Sequence, residues 1–405
     1  MIYKFMNIRI LTCNDEEVIE RGEILFNEKS IVGFGHKVDE GYSDVEEIDG
    51  TGLTILPGLI DSHVHLGMDA SPDPFLSMKD EGPADIAYLA VQQGYEFLKA
   101  GITAIRNLGT RYNADIAYRN AVSSGKIIGP KVFAAGSPIV MTGGHGHVMA
   151  IEADGCDEVR KAARSQLKAG ADLLKVMATG GVLTQGNEPG ATQFSEEELR
   201  CICQEAAKVS KTTAAHTIGT EGIKNAIRAG VTTIEHAYLL DEEAVELMLK
   251  MGTYLVPTLL APTLILDKPG TVPDYMISKV KKIINDHKIS FQMAYKAGVP
   301  IAAGTDAGTP FNFPGLLAKE LSLMIEYGMT PRKAIYSATL GAAKAVQMDH
   351  KIGSIQIGKE ADLTIVRGNP LENIHNLCEP VYVFLNGRMV HNNTSHSKTH
   401  LEINS

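Results

Sequence analysis

Residues 157–181 read DEVRKAARSQLKAGADLLKVMATGG. The first fourteen are an amphipathic helical run that stops at Ala-Gly, and the rest is a short apolar run, rich in Leu and Val, ending in a glycine turn. The same rhythm recurs on both sides. Further helical runs are YLAVQQGYEFLKAG (88–101), EEELRCICQEAAKVS (196–210) and GIKNAIRAG (222–230). Further strand runs are ITAIRNLG (102–109), KVFAAGSPIV (131–140), TTAAHTIG (212–219), VTTIEHAY (231–238), TYLVPTLL (253–260) and VPIAAGTDAG (299–308). Adding LPGLIDSHVH (56–65) makes eight strands mostly separated by helices, the pattern of an α/β chain folded as a (β/α)8 TIM barrel. A doubly wound open sheet is the structural rival. No short exact repeat points to a solenoid.

Both ends of the chain read differently. ILFNEKSIVGFG (24–35) and EEIDGTGLTILPG (46–58) alternate short apolar runs with turn residues, and so do IGSIQIGKEADLTIVRG (352–368) and PVYVFLNGRMV (380–390). The expected organisation is a small β-sandwich built from residues 1–56 and 353–392, a barrel over 57–352 and a polar tail over 393–405. A length of 405 residues accommodates a barrel of about 250 residues plus one smaller module. Hydrophobic content of 44% suits a large core, and no apolar run is long enough to span a membrane. A cytoplasmic protein is expected, since the first residues lack a signal-peptide core. The net charge of −10 argues against nucleic acid or an anionic membrane as partner and leaves a small molecule or a peptide. Five scattered cysteines include the pair Cys201 and Cys203, whose i, i+2 spacing on a helix does not share a face and so reads as packing.

In a barrel of this kind the chemistry sits at the C-terminal ends of the strands. His63 and His65 close the first strand on one face, which alone fits a metal pair or two ordinary polar residues equally well. His216, His236 and Asp306 also fall late in apolar runs, and imidazole and carboxylate suit zinc and similar divalent ions. Lys175 lies inside an apolar strand, where a bare ammonium costs several kcal/mol. Either it pairs with an acid such as Asp172, or its neutral amine takes up carbon dioxide as a carbamate.

LPGLIDSHVH, LLKVMATGG, AAHTIG, IEHAY and GTDAG, followed by IGSIQIGKEADLTIV, resemble the amidohydrolase superfamily over about residues 5–390. The pattern is most similar to its prolidase-like branch, related to imidazolonepropionase, whose members hydrolyse dipeptides and N-acyl amino acids with a binuclear metal centre. The resemblance implies two divalent metal ions, zinc being the expected one. His63, His65 and Asp306 would hold the more buried ion, His216 and His236 the more exposed one, and carboxylated Lys175 would bridge them together with a hydroxide. Asp306 would also carry the proton from water to the leaving amine. GGHGH (143–147) resembles a loop of this branch that reaches toward substrate, so His145, His147 and Tyr238 become candidate substrate contacts. Arg106 and Asn107 resemble an Arg-Asp pair. The amide at Asn107 departs from it and leaves Arg106 to meet a substrate carboxylate or another acid. Related barrels commonly self-associate, which implies a homo-oligomer.

The expected activity is metal-dependent hydrolysis of dipeptides or N-acyl amino acids, with hydrolysis of a cyclic amide, carbamate or aryl urea by the same centre as the alternative. A metal-free scaffold is disfavoured because all six ligand positions hold suitable residues. TLLAPTLILDKPGTVPDYM (258–276) reads as an apolar lid, favouring hydrophobic side chains, or as a surface packed on another subunit.

Overall fold

The computed structural model describes residues 1–14, 17–38 and 41–394. Strands β1 (Ile2–Leu11), β2 (Val18–Asn27), β3 (Ile31–Gly35), β4 (Val45–Asp49) and β5 (Leu53–Pro57) come first. From there strands alternate with helices. β6 (Leu59–Val64) leads to α1 (Pro74–Ser77) and α2 (Pro83–Lys99), and β7 (Ile102–Asn107) to α3 (Ala114–Ser123). Three short strands, β8 (Lys131–Ala134), β9 (Ile139–Val140) and β10 (Ile151–Glu152), precede α4 (Gly155–Ala169). β11 (Leu173–Met177) precedes α5 (Glu196–Ala207), β12 (Thr212–Thr217) precedes α6 (Thr220–Ala229), and β13 (Thr233–His236) precedes α7 (Glu242–Met251). β14 (Tyr254–Val256) is followed by α8 (Leu260–Leu266) and α9 (Asp274–Ala297). Helices α10 (Leu317–Glu326), α11 (Pro331–Ser337) and α12 (Leu340–Ala345) lead into β15 (Leu363–Arg367), β16 (Tyr382–Leu385) and β17 (Arg388–Asn392).

The middle of the chain is a TIM-barrel-like α/β arrangement. Two parallel sheets run in the orders β6-β7-β8 and β10-β9-β11-β12-β13-β14. All five residues of β11 are buried, as expected of a parallel strand covered on both faces. The helix of the opening stretch, α4, turns Val159, Ala162, Ala163 and Gln166 inward at helical spacing. Gly170 ends it at φ 100°, a left-handed cap that suits glycine. Two expected strands differ. The run 131–140 breaks into β8 and β9, because Gly136 takes φ 71° and Pro138 has no N–H to extend a ladder. The run 299–308 forms isolated bridges rather than a ladder, Ile301 with Leu255 and Ala307 with Val64. Its backbone nevertheless bonds to both sheets: Ala302 N–H donates to Leu255 O (3.0 Å) and Ser62 N–H to Ala303 O (2.8 Å).

The two ends do pair, as one sheet in the order β17-β16-β15-β5-β1-β2-β3, with β4 alongside β1. Where two facing sheets were expected, the described strands follow this single hydrogen-bonded path. The sheet curls. Phe384 of β16 reaches Phe26 of β2 and Tyr3 of β1, each at 4.9 Å between ring centres, although three strands separate β16 from β2. The result is a separate aromatic core. This sheet is anchored to the barrel-like part by Gly58 N–H on Asp362 O (2.8 Å), Thr364 Oγ1 on Gly101 O (2.8 Å), and Lys131 paired with Glu360 (3.1 Å) and Asp362. Of the expected tail over 393–405, residues 395–405 lie outside the described residues.

Candidate metal centre

Strand alternation puts His63 and His65 on one face, with their rings 5.3 Å apart, while Val64 points into the main hydrophobic core. The His236 ring lies 5.0 Å from His63 and 4.5 Å from His216. Asp306 Oδ1 is 3.2 Å from His63 Nε2 and 3.1 Å from His65 Nε2. One ligand atom from each of His63, His236 and Asp306 falls within a 4.8 Å cluster. Two of these residues hold unusual backbone, His236 at φ 71° and Asp306 at φ 64°. Such conformations in residues other than glycine are strained and are found preferentially at functional sites. At His236 the turn has a visible effect: consecutive residues Glu235 and His236 both reach the site, which regular alternation forbids.

The hydrogen bonds around the rings engage Nδ1 of His63, His65 and His236. His63 Nδ1–H donates to Glu235 Oε2 (2.9 Å) and His65 Nδ1–H to Gly109 O (3.1 Å). Thr258 gives its hydroxyl proton to Pro257 O, so its oxygen accepts from His236 Nδ1–H at 2.7 Å. An Nδ1–H so engaged leaves the Nε2 lone pair of His63 and His236 for another partner, the arrangement usual for metal-binding histidines, while His65 Nε2 faces the Asp306 carboxylate at 3.1 Å. His63 Nε2 and His216 Nε2 are buried with no hydrogen-bond partner, since Asp306 is near His63 in distance but not in direction. Burial also pushes the His63 and His216 rings well below the ordinary histidine pKa, and that of His236 down to about 4, so all three are neutral donors. Orphaned buried imidazole nitrogens beside a carboxylate are what a divalent-ion site requires.

Lys175 is 1% exposed and makes no ion pair among the described residues. Asp172, one expected partner, is held by Arg119 at 2.5 Å. Burial therefore pulls the Lys175 amine down to about 8 despite Glu235 and Asp306 nearby. A neutral amine at this position is the state that reacts with carbon dioxide.

Arg106 does not line the cleft. Its guanidinium is buried against Glu235 (2.9 and 3.0 Å), Thr233 Oγ1 (2.7 Å) and Ser62 O (2.6 Å). Its acid is Glu235, a residue the motif reading passed over although it stands in IEHAY beside His236. Asn107 accepts from Leu66 N–H (2.6 Å) and donates to Asp115 (2.9 Å), tying down the loop after His65. His147 also lies outside the lining, with Nδ1–H on Gly144 O at 3.0 Å.

Above these residues opens a narrow cleft whose lining includes His145, Lys175 and Tyr238. The rest of its wall is largely apolar: Met68, Phe75, Met149, Met177, Leu183 and Ile265 are examples. Ala261, Pro262 and Ile265 come from the expected lid and Val280 from α9. The His145 ring sits 4.4 Å from His216, with Nδ1 bonded to Thr184 Oγ1 (3.0 Å). Tyr238 lies just beyond β13 and stacks on His287 at 3.8 Å, and His287 is fixed by Pro257 O (2.8 Å). No helix among the described residues is long and apolar enough to cross a membrane.

The chain matches the Amidohydrolase family over residues 54–390. It is 32% identical to ochratoxinase of Aspergillus niger, an alignment covering 92% of this chain and 82% of that protein. A solved Xaa-Pro dipeptidase with methionine bound in its active site superposes with a TM-score of 0.88 at 33% identity, covering 96% of this chain and 99% of the other. A prolidase complexed with N-methylphosphonate-L-proline gives a TM-score of 0.89 at 28% identity, with 97% and 100% covered.

Proposed function

The chain belongs to the amidohydrolase family, in its prolidase-like branch, and acts on C–N bonds; from that premise we propose that it hydrolyses the amide bond of dipeptides or N-acyl amino acids. The observation that carries this reading is the convergence of bare, buried imidazole nitrogens, a carboxylate and an unpaired lysine at the floor of an apolar cleft. His63, His65 and Asp306 would hold one divalent ion and His216 and His236 a second, with carboxylated Lys175 between them and zinc as the ion. Bound there, the ions supply an activated water and polarise the scissile carbonyl.

The remaining steps belong to the chain's own residues. Asp306 takes the proton of the attacking water and hands it to the leaving nitrogen, so no side-chain nucleophile is needed. His145 and the Tyr238 hydroxyl bind the substrate's carbonyl or terminal carboxylate. The methionine and leucine wall, closed by α8, receives an apolar side chain and excludes water. The names of the similar proteins support this substrate class, since a dipeptidase holding methionine and a prolidase holding a proline analogue share the fold. We further assign the catalytic unit to 57–352 and the end module of the curled sheet to 1–56 and 353–392, in a homo-oligomeric cytoplasmic enzyme.

The test is a substrate panel of dipeptides, N-acetyl amino acids, lactams, carbamates and phenylureas, run before and after chelation. Turnover of acyl-Leu, acyl-Met or acyl-Phe compounds that is lost with metal and restored by zinc is expected. Turnover confined to the carbamates or ureas overturns the proposal. Preference for Xaa-Arg over Xaa-Leu overturns the apolar specificity alone.

A further inference from the structure

The loop that follows β11 covers one end of the cleft and fixes His145 on two sides. Thr184 Oγ1 meets His145 Nδ1 at 3.0 Å and accepts from Gly146 N–H at 3.0 Å. Gly181 lies against the face of the same ring, where a Cβ would stand 2.5 Å from Nε2. The loop is in turn held from outside by two side chains one turn apart on α9. Tyr275 Oη donates to Leu183 O at 2.9 Å. Lys279 Nζ donates to Thr184 O (2.7 Å), Gly181 O (3.2 Å) and Val182 O (3.5 Å). Every carbonyl from 181 to 184 therefore accepts from α9.

Lys279 is 7% exposed, and no carboxylate among the described residues lies within ion-pair distance of it. Its direct contacts are those neutral carbonyls and the Tyr275 ring, 5.4 Å from Nζ, while the Glu188 carboxylate and the Lys282 ammonium act on it from farther off. A buried ammonium without an acid is expensive, and an apolar side chain would fill the same space at lower cost. The next residue, Val280, lines the cleft, so this charge, with no acid in contact, stands one layer behind the wall beside His145.

We propose that Lys279 is a positioning residue for the substrate site, setting the 181–184 loop so that His145 presents Nε2 to the substrate, and that its charge selects substrates with a free carboxylate at that end of the cleft. This rests on the amide-hydrolase reading for its substrate but not for its geometry. The two roles separate by mutation: Tyr275→Phe loosens the loop and leaves the charge, whereas Lys279→Met removes both.

The experiment compares N-acyl amino acids with their C-terminal carboxamides on the metal-loaded wild type, Tyr275→Phe, Lys279→Met and Lys279→Arg. Wild type is expected to prefer the free acid. Lys279→Met should raise KM for the acid about tenfold with kcat within about threefold, and shrink the acid-over-amide preference by a similar factor. Lys279→Arg should restore the preference, and Tyr275→Phe should raise KM while keeping it. Equal losses on acid and amide in Lys279→Met overturn the charge role. A parallel readout needs no substrate: ¹⁵N spectra of the imidazoles should show His145 shifted in Lys279→Met and in Gly181→Ala. Unmoved His145 resonances overturn the positioning role even if no substrate in the panel is turned over. Should Lys279→Met fail to fold, an unchanged KM and an unshifted His145 in Tyr275→Phe overturn it alone.

Discussion

Glu235 bonds to Arg106 through both carboxylate oxygens and to the His63 ring through one of them, so its charge serves an ion pair and a ring at once. Glu235→Gln should weaken divalent-metal binding at the proposed centre about 10- to 100-fold by loosening the orientation of His63. It should also cost about 3–5 kcal/mol of stability, because a buried guanidinium loses its acid. Competition against a chromogenic chelator and thermal melts of the stripped protein measure the two separately, and unchanged zinc affinity would show that Glu235 only balances Arg106. At this scale the sequence was readable where a polar side chain interrupts an apolar run, as at His216, His236 and Asp306. Glu235 does the same in IEHAY, but its meaning depends on Arg106, 129 positions away, and on a backbone turn at His236 that no spacing reveals. Of the two partners expected for Arg106, a substrate carboxylate or another acid, the structure shows the acid, and which acid it is was invisible along the chain.

Between elements, the α4–α5 contact is closed by Glu205, which takes a two-point bond from Arg164 (2.9 and 3.0 Å) and another from Lys208 (2.7 Å). Those hydrogen bonds, Arg164 foremost, pull its carboxyl from the usual 4.5 to about 2. A carboxyl whose folded value is depressed stabilises the fold above its unfolded value and ceases to do so as pH falls through the folded one. Glu205→Gln should therefore melt below wild type at pH 7, with the gap closing between pH 4.5 and 2. A gap that persists at pH 2 in paired thermal scans would mean that packing, not charge, is what Glu205 contributes. Helices such as α4 were legible because their inward stripe and terminal glycine are local properties. The break between β8 and β9 was legible only in part. Gly136 and Pro138 were in view, yet an apolar run on either side masked them as one strand.

For the molecule as a whole, the curled sheet makes the first and last strands one structural unit. β5 pairs with β15 over Leu53–Pro57 and passes through Gly58 into β6, which ends at the histidine pair. Ending the chain at residue 352 should leave β5 and the Phe26 and Tyr3 rings uncovered, and the product should be aggregated in size-exclusion chromatography. A soluble, metal-loaded truncation would show that β15, β16 and β17 are dispensable to the site. That both ends contribute strands was readable from their alternation and turns. The curl was not, because alternation marks Phe26 and Phe384 as inward-facing without saying that they face each other.

Met68, Met149 and Met177 stand in the cleft wall. Thioethers adapt to differently shaped ligands, but they are also the side chains that mild oxidants convert to polar sulfoxides. The proposed substrate surface thus carries a chemical weakness of its own. Low peroxide should slow turnover of apolar substrates while metal content stays constant, and methionine sulfoxide reductase should bring the rate back.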